Sequence, residues 1–461
     1  MALLSKKIFT LATNACRFVL ALVLAVSGFV KAVDPIGAMY KMKEYMVLFS
    51  VDAPSEDWAM FFAVVQAALE FLLGVFLLTG VYRKFVSVAA PLLMIFFTLL
   101  TLFIYANSSV DDCGCFGEAV TLTNGETFAK NVALLLLSLV VFLGRKRFVY
   151  NVSSRCRWMV TIYSIFYIAI VQIMSFSHLP VIDFSRYAIG TDLRRLAQGT
   201  PDEYMVYYTY ERNGETMELP ENEVPDSTWT CVSSRAEVVK QGEKPIVGDF
   251  SIVDWEEDYD ATEEMLADTG YVCFVVIERL ETASVSRVDK INDLYDYCLE
   301  NDIPFYAATA SDNDEIELWR KRTGAEYPLY WSDEALLGRI IRANPGMLLL
   351  KNGVIAGKWN VADLPSIETF AASPVKVVEK SDTAVEYMKG WTFWILALVL
   401  PIIFFCLVDL FVCRATAREI PQDAPAGKDE NEQMCPSGSK EAEADSSGAN
   451  AVDDGADNVN A

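Results

Sequence analysis

The chain has 461 residues and a formal net charge of -24 at pH 7, yet 53% of its residues are hydrophobic and its mean hydropathy is +0.25. That combination excludes an ordinary soluble acidic protein, because the charge must be segregated from long apolar stretches. It also argues against nucleic-acid binding, since no basic patch stands out beyond short loops between the apolar runs.

Apolar stretches near the length that crosses a bilayer, about 20 residues, predict transmembrane helices at 15–33, 59–81, 85–105, 128–143, 158–176 and 391–413. Short loops rich in Lys and Arg stay on the cytoplasmic side. Lys6 and Lys7, Arg83 and Lys84, the Arg145 to Arg157 cluster, and Arg414 and Arg418 then all fall on one face. The expected protein is a multi-pass component of the cell inner membrane with both termini cytoplasmic and residues 177–390 outside. The first apolar run reads as a span rather than a signal peptide, because Lys31 lies near its far end and no cleavage motif follows.

An ionisable residue inside a bilayer costs about 2.5–3.5 kcal/mol at its centre, so those that remain face a bundle interior or pair with one another. Glu70 and Gln66 stand one turn apart on the second span and form a polar stripe. Arg17 and Lys31 lie near opposite ends of the first span, where each is expected to snorkel to its interface. Gly28, Gly74 and Ser27 are small residues that let helices approach.

Between the third and fourth spans runs Asp112-Cys113-Gly114-Cys115-Phe116-Gly117. Gly114 permits the unusual backbone of a ring closed between cysteines two apart, and such a strained disulfide is easily reduced. The spacing leaves open a redox-active pair or a static small ring. A metal site is disfavoured, with one His in the chain and no second Cys pair at ligand spacing on the same side. Of ten cysteines, Cys113, Cys115, Cys231, Cys273 and Cys298 are expected on the oxidising side. Five is odd, so at least one thiol stays free or pairs with another chain.

Ser27-Gly28-Phe29-Val30-Lys31, Asp34-Pro35 and Glu44-Tyr45 in the first third of the chain resemble the start of the DoxX/MauE superfamily of four-span membrane proteins. Glu70-Phe71-Leu72-Leu73-Gly74 resembles its second span. The cysteine loop resembles the Cys-Gly-Cys-Phe-Gly loop of the MauE branch, which is linked to methylamine utilisation and to maturation of a disulfide-rich methylamine dehydrogenase subunit. The bundle is also similar to quinone-linked thiol oxidases of the DsbB and vitamin K epoxide reductase type. The resemblance implies that Cys113 and Cys115 are the catalytic redox pair, held by Gly114 and Gly117. It implies a quinone as candidate electron acceptor, with Glu70, Gln66 and Arg17 as candidate cofactor-binding residues, and client or redox partner proteins outside the membrane. Those oxidases use Cys-x-x-Cys and a second shuttle pair, and the loop after Asp34 here has no cysteine.

Beyond the fifth span, His178 is expected to be an interfacial polar residue rather than a base. The aromatic run 204–210 followed by Asn213-Gly214 predicts a hairpin, and acidic 249–262 predicts a solvated loop. From Gly270 the periodicity predicts a strand at 271–277, a helix at 288–301, a strand at 303–309, a helix at 314–323, and strands at 347–351 and 354–359 across Asn352-Gly353. This order, with Pro345 as candidate cis residue, resembles thioredoxin. Where the catalytic Cys-x-x-Cys would stand the chain has Glu278-Arg279-Leu280-Glu281-Thr282-Ala283. Cys273 and Cys298 are expected to be buried inert thiols, and Cys231 is the remaining candidate shuttle.

The expected fold class is therefore a polytopic α-helical membrane protein, a four-helix bundle plus two further spans, with an α/β thioredoxin-like extracytoplasmic domain. The expected divisions are 1–147 bundle, 158–176 fifth span, 177–265 connector, 266–388 thioredoxin-like domain, 390–413 sixth span, and 414–461 acidic cytoplasmic tail without fixed structure. The leading function is thiol-disulfide exchange on envelope proteins, the alternatives a non-enzymatic scaffold or a quinone-binding or transport subunit.

Overall fold

The computed structural model describes residues 2–49, 51, 55–107, 114, 117, 122–148, 152–153, 156–180, 182–198, 203–212, 215–220, 228–240, 250–254, 259–372 and 384–419. Cys113, Cys115, the Asn213-Gly214 turn and the tail from 420 onward lie outside the described residues.

Among the described residues six helices are long and apolar enough to cross a membrane, which suits a polytopic membrane protein. They are α1 (Ala2–Val33), α3 (Glu56–Thr79), α4 (Arg83–Asn107), α5 (Asn124–Leu143), α6 (Arg157–Ser177) and α13 (Ala384–Glu419), with a shorter α2 (Pro35–Leu48) after the first. The last helix runs to Glu419, past the boundary expected at 413. Helices α1 and α3 pack through reciprocal glycines. A Cβ at Gly28 would collide with the Phe71 backbone, and one at Gly74 with the backbone of Ala25. Small residues of this kind bring backbones close where lipid supplies no hydrophobic drive between helices. Around that seam Leu20, Leu24, Leu73 and Leu77 meet Val86, Met94 and Leu134 of α4 and α5. Helices α6 and α13 join the far side of α1 and α3, where the Tyr167 hydroxyl donates to the Trp394 carbonyl at 2.9 Å. Asp409 on α13 is buried and accepts from the Ser153 backbone N–H at 2.7 Å.

The polar region between α6 and α13 holds α7 (Leu193–Gln198), α8 (Thr262–Ala267), α9 (Asp289–Glu300), α10 (Asn313–Thr323), α11 (Glu334–Ile340) and α12 (Ile367–Ala372). Its strands are β1 (Glu203–Arg212), β2 (Glu215–Pro220), β3 (Thr230–Lys240), β4 (Val253–Asp254), β5 (Tyr259–Asp260), β6 (Tyr271–Ile277), β7 (Phe305–Thr309), β8 (Leu329–Trp331), β9 (Gly346–Lys351) and β10 (Val354–Asn360). Seven strands form one sheet in the order β10-β9-β6-β7-β8-β4-β5, and three form a second in the order β2-β1-β3. In the larger sheet β6, β7 and β8 run parallel, while β9 is antiparallel to both β6 and β10.

Strand β6 reads as an unbroken apolar run because both faces are covered, the usual state of parallel strands. Val272, Phe274 and Val276 point into a core with α7, α8 and α11; Cys273, Val275 and Ile277 point into another with α9, α10 and α12. The first core also takes in Tyr187, Phe250, Ile252 and Ala261. The expected division at 265 therefore cuts through one core. Within 249–262, expected as a loop, β4 and β5 pair at the sheet edge. Strand β8 and helix α11 intervene between α10 and β9, where the periodicity predicted nothing. At three and seven residues they are too short to show a period, and the N-cap Asp333, accepting from Leu336 N at 2.9 Å, is their clearest local signal.

Candidate functional site

Ser27 and Lys31 are one turn apart on α1, as Gln66 and Glu70 are on α3. The glycine seam presses the two pairs together. Lys31 Nζ lies 2.8 and 2.7 Å from the two Glu70 carboxylate oxygens. Ser27 Oγ donates to Oε2 at 2.6 Å and Gln66 Nε2 to Oε1 at 2.9 Å, so each oxygen has two donors. Glu70 is 1% and Lys31 7% exposed, so both charges are buried. Such a pair survives only with this degree of satisfaction, because removing water from either ion alone costs several kcal/mol. Lys31 thus does not snorkel to an interface as expected; a carboxylate within reach outweighs the pull of the boundary.

The network opens into a cavity of about 250 Å³ between α1, α2, α3, α4 and α5. Val23, Leu24, Phe97, Leu100 and Leu134 give it apolar walls, and Thr101 and Asn131 add a second polar patch, their side chains 3.3 Å apart. Gly114 and Gly117 also line it. Both have positive φ, +50° and +57°, a region open to glycine at little cost. A Cβ on Gly114 would sit 3.0 Å from Lys41 Cγ. The chain then enters α5 through a capping box, Thr123 Oγ1 accepting from Glu126 N while the Glu126 carboxylate accepts from Thr123 N.

Of the residues singled out from sequence, Glu70, Gln66, Gly114 and Gly117 border this one cavity. Arg17 does not join them. It lies 14 residues before Lys31, about 21 Å along the axis at 1.5 Å per residue, with its guanidinium over the Phe148 ring at 5.1 Å. The Asn344–Pro345 bond is cis, in the turn before β9. His178 Nδ1 lies 2.8 Å from Asp363 Oδ2 on the surface.

Helix α2, a contributor that sequence reading missed, has cavity-lining Ala38, Lys41, Met42 and Tyr45 on one side. Its other side meets the sheet-bearing region. Asp34 caps α2, accepting from Gly37 N at 2.8 Å, and also binds the guanidinium of Arg342 through Nε and Nη2 at 3.1–3.2 Å. Tyr40 Oη donates to Glu278 Oε1 at 2.5 Å, and Arg339 reaches Glu44 at 3.2 Å. Glu278 is the first residue after β6. Burial raises its carboxyl pKa, against the bond from Tyr40, and burial with Glu278 beside it raises the Tyr40 hydroxyl too. The readable signal for α2 was Asp34-Pro35, an N-cap followed by Pro at the first helical position.

Residues 7–144 match the family model described as methylamine utilisation protein MauE, which covers less than half of the chain. No curated protein and no solved structure matches.

Proposed function

We propose that this chain is a MauE-like thiol-disulfide redox protein of the inner membrane, acting on envelope proteins through Cys113 and Cys115. The carrying observation is that Gly114, the residue between the two cysteines, and the buried Lys31–Glu70 network border the same cavity. A thiol pair exchanging electrons with a partner in the membrane needs such a space beneath it.

The cavity suits a quinone: apolar walls for a ring and tail, and a donor for its oxygen at Gln66, whose amide carries two N–H groups and gives one of them to Glu70. A bound quinone supplies a sink for the two electrons and two protons released when a dithiol becomes a disulfide. The chain's part is to hold Lys31 beside Glu70, to exclude water from the site, and to bring the backbone at Gly114 and Gly117 to the cavity wall. The methylamine association belongs to the family description; here the one carboxylate in the cavity wall among the described residues, Glu70, is already held by Lys31.

The proposed orientation is supported by the basic clusters, which meet at one end of the bundle. Arg147 lies over the Phe9 ring at 4.5 Å and Arg157 over Tyr82 at 5.3 Å. That end is the cytoplasmic one, and the sheet-bearing region is outside, a thioredoxin-like domain with Glu278 at the position of the lost cysteines. Its strand order and the turn at Pro345 support that reading.

The test is thiol trapping in native membranes with peptide mapping of the segment holding Cys113 and Cys115, before and after depletion of respiratory quinones. A mixed oxidised and reduced population that shifts toward the dithiol on depletion is expected. A pair fully oxidised and unmoved by quinone or mild reductant overturns the redox reading in favour of a scaffold. Loss of function in Glu70→Gln with the cysteines dispensable favours a quinone-binding or transport subunit, a reading supported by the buried ion pair itself.

A further inference from the structure

Cys273 and Cys298 lie 25 residues apart in sequence, and neither showed a partner by spacing. Strand β6 alternates, so Cys273 points to the same face as Val275 and Ile277, the face that α9 covers. Cys298 lies in the last turn of α9 and looks back at that strand. The two sulfurs stand 3.5 Å apart, with the residues 0% and 1% exposed, in a core of Ile291, Leu294, Phe305 and Leu349. Each thiol has the other as its polar neighbour, and that contact together with burial raises the Cys273 pKa well above the ordinary thiol value.

We infer that Cys273 and Cys298 are joined by a structural disulfide that staples α9 to the central strand β6 in the mature protein. This rests on the proposed placement of residues 177–390 outside the cytoplasm, where thiols so placed are oxidised. A disulfide needs its sulfurs at about 2.05 Å, so closure moves them together by about 1.5 Å. The oxidant is a disulfide-bearing thiol oxidant of the envelope. Its S–S bond breaks, one S–S bond forms between Cys273 and Cys298, and the two electrons and two protons leave on the oxidant's thiols. A thiolate has to be reachable for this exchange, so oxidation precedes the packing of α9 onto β6. Once buried, the bond is closed to reductants.

The assignment also resolves the odd count of outer cysteines. With Cys113 and Cys115 as one pair and Cys273 and Cys298 as the other, Cys231, exposed on β3, is the remaining thiol.

The test uses the full chain purified in detergent without reductant, denatured in iodoacetamide, digested and mapped by mass spectrometry. In parallel, intact cells are treated with a membrane-impermeant maleimide to read Cys231. The expected result is a linked Cys273–Cys298 peptide in the majority of molecules, lost on reduction, with Cys231 labelled from outside. Recovery of Cys273 and Cys298 as separately alkylated thiols overturns the disulfide. If Cys231 is labelled in that case, the placement outside stands and the pairing alone fails; if it is not, the placement fails as well. Cys298→Ser is expected to abolish the linked peptide and leave Cys273 alkylated only after denaturation.

Discussion

Glu70 carries more of the bundle's electrostatics than any neighbour, since Lys31, Ser27 and Gln66 all point their donors at it. Removing one partner of a buried pair strands the other charge, at about 3–5 kcal/mol. Lys31→Met alone and Glu70→Leu alone should therefore each lower stability in detergent by that order. The double variant should recover most of the loss, because two apolar side chains leave no orphaned charge. Denaturant unfolding of the three variants gives the coupling, and additive losses would show that the two side chains act independently. The polar stripe on α3 was legible in the sequence, because Glu70 has no cheap place in a bilayer. Its partner was not, because a Lys near a helix end has two solutions, water or a carboxylate, and only the α1–α3 approach selects between them.

At the scale of elements, that approach depends on Gly28 and Gly74, where any Cβ runs into opposing backbone. Backbone cannot move aside as a flexible side chain does. Gly28→Leu or Gly74→Leu should push α1 from α3, open the Lys31–Glu70 contact, and lower the melting temperature of the purified protein. Gly125→Ala, with only Tyr105 Cε2 at 3.6 Å, is the control that should leave it unchanged. Elements long enough to show a period, the spans and the helix at 289–300, could be read from sequence. The short ones, β8 and α11, could not, since helix and strand patterns need several turns or alternations to emerge; α2, at 14 residues, is long enough but shows no apolar stripe, with the cavity on one side and the sheet-bearing region on the other. The cavity was least legible of all. It is bordered by five helices, and no single stretch of sequence contains it.

For the whole molecule, the sheet-bearing region and the bundle meet through Asp34–Arg342, Tyr40–Glu278 and Glu44–Arg339. Arg342 is 4% exposed on its side chain and shares its donors between Asp34 and the Gly338 carbonyl, so Arg342→Ala leaves Asp34 with its cap alone. That variant should increase proteolysis of segments flanking the sheet-bearing region while leaving bundle unfolding unchanged. The contact should also depend on pH. Glu278 has a raised pKa in the docked state, so docking holds its proton more tightly than undocking does. Docking is then strongest below the ordinary glutamate value of about 4.3, weakens as pH rises through the window up to the raised Glu278 value, and is flat above it until the ordinary tyrosine value of about 10, where the raised Tyr40 hydroxyl weakens it again. Glu278→Gln should remove the lower-pH dependence, as read by crosslinking of α2 to α11 across the pH series.

Because α2 and the face around Glu278 and Arg342 belong to one chain, their encounter is unimolecular, at an effective concentration of order millimolar for a short tether. A soluble protein competing for that face at about micromolar concentration starts about a thousandfold behind. It must bind about a thousandfold more tightly than α2 to hold even half of the molecules open. The contact between the sheet-bearing region and α2 therefore has a built-in threshold, insensitive to weak encounters and opened only by a competitor whose affinity exceeds the tether's advantage.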